Sequence, residues 1–161
     1  MEPLSEQLRA YFAAHPEAQI ASVAKAFQVT EGRVLEALEG ELSIRLEDSD
    51  LLKLAEEMAC WGRIRLVVRN QSAVSEMLGS LEGVRLSKGW LTVENDHFHL
   101  HVQAEEIREV YLLFKRGHQT QRPSYSVQFL NRSGEAVLKA FLLETSEDSQ
   151  QVVRFKRLVR K

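Results

Sequence analysis

The run His97-Phe98-His99-Leu100-His101-Val102-Gln103 sets three imidazoles at alternate positions. Imidazole is the side chain best suited to proton transfer and metal ligation near neutral pH. The strict period of two predicts a strand, because successive side chains then point to opposite faces. Phe98, Leu100 and Val102 share the face expected to meet a packed core. His97, His99, His101 and Gln103 share the other, which lines solvent or a cleft. Three readings follow. The first is a half-exposed strand whose polar face uses histidine. The second is a zinc site, since neighbouring histidines on one face lie about 6.6–6.8 Å apart at Cα and can converge on one ion. That site needs a third ligand, and no H-E-x-x-H helix or carboxylate cluster supplies it. The third is ligation of heme iron by one neutral imidazole with the others in support. Heme also needs an apolar slot and cations for its propionates, and Arg69, Lys88, Arg116 and Arg122 are available.

Other chemistry has less to stand on. Cys60 and the histidines can in principle form a thiol–imidazole pair, but a cysteine beside Met58 and Trp61 at an apolar helix end reads as core. No G-x-S-x-G elbow, Walker loop or dinucleotide fingerprint is present. The single cysteine among 161 residues excludes an internal disulfide and multi-cysteine metal sites. A net charge of -2 excludes a strongly basic coat over the whole chain. The expected setting is cytoplasmic, with no signal peptide and no apolar run long enough to span a membrane.

The elements that must position these residues fall into two parts. Residues 1–60 read as helical. Leu4, Leu8, Tyr11 and Phe12 lie on one helical face, and His15-Pro16 ends that pattern. Ile20, Val23, Ala24 and Phe27 mark a second helix. Thr30 caps a third, with Val34, Leu35 and Leu38 inward and Gly40 as its stop. A fourth runs from Ser49 to Cys60. Residues 61–161 read as strands at 63–69, 90–94, 97–103, 107–115, 125–131 and 136–143, with turns at Ser87-Lys88-Gly89, Glu94-Asn95-Asp96, Arg116-Gly117-His118 and Asn131-Arg132-Ser133-Gly134. A helix over 147–161 closes the chain. The two parts are expected to form one integrated α+β domain: a helical N-terminal unit, a large antiparallel sheet and a C-terminal helix.

Ile20 to Leu38 also has the cadence of a DNA-binding helix-turn-helix. From Ile20 to Arg45 the charge opposes that role: Lys25, Arg33 and Arg45 stand against Glu31, Glu36, Glu39 and Glu41 on a segment that would have to approach phosphates. A structural cap is the favoured reading, and no nucleic-acid partner is expected.

Several stretches, taken in order, resemble a known family. They are Glu57-Met58-Ala59-Cys60-Trp61-Gly62, Lys88-Gly89-Trp90-Leu91-Thr92-Val93, the His99 to Val102 run, and Gln128 to Phe141. Together they resemble the cytosolic heme-utilisation carriers of the HutX/ChuX type. The resemblance implies a bacterial homodimer with a large antiparallel sheet, similar in fold to half of the larger heme-trafficking proteins. It implies a carrier that binds heme and passes it to a downstream acceptor, rather than an enzyme. His101, three residues before Ala104-Glu105, matches the family's ligating histidine on that strand. Arg69, eight residues after Trp61, stands where the family has a second histidine. Arginine stays protonated and suits a propionate rather than iron. The alternatives carried forward are a metal-dependent or heme-degrading enzyme on the histidine strand and a DNA-binding regulator.

Overall fold

The computed structural model describes residues 2–47, 50–116 and 122–160. The helices are α1 (Leu4–Ala14), α2 (Ile20–Phe27), α3 (Glu31–Ala37), α4 (Leu51–Ala59) and α5 (Gln150–Arg157). The strands are β1 (Ser43–Arg45), β2 (Ile64–Arg69), β3 (Val74–Gly79), β4 (Arg85–Ser87), β5 (Trp90–Glu94), β6 (His99–Gln103), β7 (Glu109–Arg116), β8 (Pro123–Leu130) and β9 (Ala136–Leu142). They form a six-stranded sheet in the order β1-β7-β8-β9-β2-β3 and a three-stranded sheet in the order β4-β5-β6. Every pairing within the two sheets is antiparallel.

Register divides the large sheet into two unlike faces. Ile64, Leu66, Leu112, Val127, Ala140 and Leu142 point to one side. There they join Met58 of α4, Phe155 of α5 and Val93 of β5 in the main core. Each fully buried Val, Leu, Ile, Phe or Met side chain among them contributes about 1.5–3 kcal/mol. The alternate positions point to the opposite side. At the β1–β7–β8 end, Tyr111, Leu113 and Leu130 meet Leu8, Phe12, Val23, Val34 and Leu35 of the N-terminal helices in a second core. The helical unit thus covers one end of this face, while α4, α5 and the small sheet cover the other face.

Local chemistry explains the junctions. Thr30 Oγ1 accepts from the Arg33 amide at the start of α3, as its N-cap position predicts. The Gly32 amide donates to the Gly134 carbonyl at 2.9 Å, seating α3 on the β8–β9 loop. In that loop, Asn131 Oδ1 accepts from the amides of Ser133 and Glu135. Gly134 has φ of 80°, and a Cβ there would fall 2.7 Å from Thr30 Oγ1, so only glycine fits. Gln151 ties α5 to the strand ends: its Nε2 donates to the carbonyls of Trp61 and Arg63, and its Oε1 accepts from the amides of Leu143 and Glu144.

The structure corrects several boundaries. His97 is not on the strand. Asn95 Oδ1 accepts from the amides of His97 and Phe98 at 2.8 and 3.0 Å, so His97 lies in an Asx turn and β6 begins at His99. Strands β1, β3 and β4 were not anticipated. The fourth helix starts at Leu51, capped by Asp50, and Ser49 lies outside the described residues. The last helix starts at Gln150, capped by Ser149, and ends in a 3-10 turn. Of the expected Arg116-Gly117-His118 turn, Gly117 and His118 also lie outside the described residues. Cys60 is exposed rather than core, its Sγ 3.6 Å from the Glu56 carbonyl oxygen. The third helix spends Gly32, Val34, Leu35 and Ala37 on packing and presents Glu36 outward, and Glu39 just past its end is also exposed.

Candidate functional site: a cationic cleft on the open sheet face

The N-terminal helices leave the β9–β2–β3 end of their sheet face uncovered. A cleft of about 550 Å³ opens there, between the start of α2 and the strands. Cross-strand register determines what it presents. Gln128 on β8 sits opposite Lys139 on β9, Lys139 opposite Val67 on β2, and Val67 opposite Glu76 on β3. Two residues along each strand, Phe141 pairs with Arg65, and Arg69 pairs with Val74. All of these line the cleft, together with Lys115, Arg122 and Ser124. Arg65, Arg69, Lys115, Arg122 and Lys139 therefore converge on a space whose lining, among the described residues, holds one carboxylate, Glu76. Val67, Val74, Leu113 and Phe141 supply apolar wall between them.

Two lysines sit deep. Lys139 is paired with Glu31 of α3 at 2.5 Å, and both side chains are largely buried. Lys115 is 8% exposed. Burial, and then the nearby Lys139 charge, pull its ammonium below the usual lysine range, while Glu17 opposes the shift. Beneath them lies a buried polar pair: Gln128 Nε2 donates to Ser126 Oγ at 2.9 Å. Gln128 Oε1 is buried with no hydrogen-bond partner among the described residues. An unmet buried polar atom costs about 1–3 kcal/mol. Because the Ser126 hydroxyl both donates and accepts, the Gln128 amide can turn either its oxygen or its nitrogen to the cleft side. Such polar strain in the wall of a charged cleft fits a binding surface better than a structural core.

The residues singled out from sequence are not brought together. Arg69 lines the cleft. His101 is exposed on the outer face of the small sheet, with Nδ1 3.1 Å from Thr92 Oγ1 on the neighbouring strand. Leu100 and Val102, on the opposite face of the same strand, pack on the main core. A core and two β-layers about 10 Å apart thus separate His101 from the face that carries Arg69. Within a single copy of the chain, Arg69 and His101 therefore lie on different faces. His99 sits opposite Glu94, also exposed. No group of three or more His, Cys, Asp or Glu among the described residues is placed to hold a metal ion. Lys88 lies in the β4–β5 turn, away from the cleft, with φ of 51°. Sequence reasoning missed Arg65, Lys115, Lys139 and Gln128. The Arg65-x-Val67-x-Arg69 alternation was the available signal, since it puts both arginines on one face of β2.

An open sheet face, half capped by helices and lined by cations over apolar wall, defines a protein able to take a flat, anionic, largely apolar small molecule. Residues 44–158 match the family model described as haem utilisation ChuX/HutX, and the chain belongs to that family. The intracellular heme transport protein HutX of Vibrio cholerae is 23% identical over 163 residues, covering 98% of this chain and 83% of that protein. The structure of the heme-binding protein ChuX superposes with a TM-score of 0.79 at 21% identity, over 95% of this chain and 97% of the other. The heme-degrading enzyme ChuS of Escherichia coli O157:H7 superposes with a TM-score of 0.79 at 19% identity, over 99% of this chain but 48% of ChuS. The expected α+β fold with a large antiparallel sheet is the fold found, and it corresponds to half of a longer protein as well as to a whole shorter one.

Proposed function

We propose that this chain is a heme carrier that acts in the cytoplasm and passes its cargo to an accepting protein. The single observation that carries the reading is the cleft: Arg65, Arg69 and Arg122 at its exposed edge and the apolar Val67 and Phe141 between the strands. Heme is an apolar plane with two carboxylates at one edge. Arginine binds carboxylates with two parallel hydrogen bonds and stays charged, so Arg69 is assigned a propionate. The open side of the cleft suits a carrier, which must release what it binds. Membership of a haem-utilisation family and the transport role named for HutX support the same reading. Among the described residues no helix is long and apolar enough to cross a membrane.

Homodimerisation is part of the proposal. A contact between His101 and a heme in this cleft would have to come from a second copy. Titration with hemin tests the function: a saturable Soret shift is expected, weakened by rising salt as a propionate–arginine contact requires. Absence of binding at low salt removes the reading. The likeness to ChuS favours one second reading, heme degradation. It predicts loss of the Soret band under reductant and oxygen, whereas a carrier keeps the band.

A further inference from the structure

We propose that the cleft recognises the carboxylate edge and apolar plane of a tetrapyrrole rather than its iron, so that metal-free protoporphyrin IX is a ligand as good as heme. This rests on the heme-carrier reading of the same cleft and sharpens its ligand class.

The groups that meet the macrocycle's edge are all in the cleft: Arg65, Arg69 and Arg122 near solvent, Lys115 and Lys139 deeper. The side chains that ordinarily bind heme iron, histidine, cysteine, methionine and tyrosine, do not line it among the described residues. The described histidines, cysteine, methionines and tyrosines lie elsewhere. His15 stacks on Tyr11 at 4.4 Å and its Nδ1 contacts the Tyr11 carbonyl. His97 lies in the Asx turn, and His99 and His101 lie on the outer face of the small sheet. Met58 is in the main core and Met77 packs against it. Cys60 is at the end of α4. The position on β2 that could have aimed an imidazole into the cleft carries Arg69, which stays protonated and bonds oxygen anions. Gln128 can turn its amide N–H toward a carboxylate, with the Ser126 hydroxyl then donating to its oxygen, and it offers no group suited to iron. With no such iron ligand among the described lining residues, binding free energy comes from charge pairing and apolar contact, which heme and protoporphyrin IX offer equally.

The experiment is parallel titration of the full chain with hemin, protoporphyrin IX and protoporphyrin IX dimethyl ester, read by absorbance and by porphyrin fluorescence. Hemin and protoporphyrin IX are expected to bind within about 3-fold of one another, and the dimethyl ester about 10-fold or more weaker. The hemin complex is expected to show a high-spin spectrum without a protein nitrogen ligand. Arg69→Ala is expected to weaken hemin and protoporphyrin IX in parallel. Binding of hemin about 30-fold or more tighter than protoporphyrin IX overturns the inference and leaves the carrier reading standing. So does a low-spin hemin spectrum lost in Lys115→Leu, His101→Ala or His118→Ala, the last residue lying outside the described ones. Equal binding of the dimethyl ester overturns the carboxylate basis. Failure of every ligand to bind removes the carrier reading itself.

Discussion

Glu31, the first residue of α3, pairs with Lys139 on β9, 108 positions along the chain, with side-chain exposures of 15% and 13%. The pair fastens the N-terminal helices to the sheet beside the cleft, and it holds one of the cleft's cations partly neutralised. Breaking it from one side leaves a largely buried charge unpaired. Glu31→Gln is expected to cost about 1–3 kcal/mol, between exposed and fully buried pairs. The Glu31→Gln/Lys139→Gln double variant should cost less than the sum of the singles, which a denaturant-based double-mutant cycle measures.

Gly32 approaches the β8–β9 loop closely. Glycine to alanine within a helix ordinarily stabilises by about 1 kcal/mol. Here the added Cβ would meet Gly134 Cα at 3.1 Å, Gly134 O at 3.2 Å and Leu130 Cδ1 at 3.2 Å. The Gly32 amide is bonded to that same carbonyl, so the loop cannot retreat without losing the bond. Gly32→Ala is therefore expected to destabilise by about 1–3 kcal/mol in urea unfolding.

Much of this architecture was readable from period and turn chemistry. Thr30, the Asn131–Gly134 loop and the Phe98–Leu100–Val102 face are strong local signals, and each is used as its residue types suggest. The missed strands have weaker signals. The β2–β3 turn uses Asn70, whose Oδ1 accepts from the amides of Ser72 and Ala73, with no glycine or proline to mark it. The β3 strand lies at a sheet edge and is mostly exposed, so its sequence lacks a core-facing alternation. The cleft was harder to see. Its residues come from α2, β2, β3, β7, β8 and β9, and only the sheet order brings them to one place. The histidine run is conspicuous because its residues are close in sequence, yet its polar face points outward.

Lys115 shows stability traded for charge. Its pKa is lowered by burial first and by Lys139 second. A folded value below the ordinary 10.5 means the unfolded chain holds the proton more readily, so the protonated group weighs against folding at neutral pH. Lys115→Leu keeps an apolar side chain and removes the charge. It is expected to stabilise the protein by about 1 kcal/mol in thermal unfolding while weakening hemin binding.

Glu147 governs part of the acid limb. Hydrogen bonds from Lys156, and then from Tyr125, hold its carboxyl below the ordinary 4.5. The Tyr125 hydroxyl donates to Glu147 Oε1 at 2.9 Å, and its own pKa is pushed up to about 12 by burial and then by that bond. A depressed carboxyl contributes stability above its unfolded value and loses it as pH falls through the lower folded value. Glu147→Gln should thus be less stable than the parent near neutral pH, and the gap should close below pH 4.5. Urea midpoints measured across that range check the sign. The gap should be modest, since Glu147 is exposed.

The most direct test is hemin titration of the parent chain, the Arg65→Ala/Arg69→Ala variant and His101→Ala under one salt condition. A cleft-bound heme predicts at least about 10-fold weaker binding for the double-arginine variant and a change under about 2-fold for His101→Ala. Unchanged affinity in the arginine variant with loss of binding in His101→Ala would contradict the account and move the site to the outer face of the small sheet.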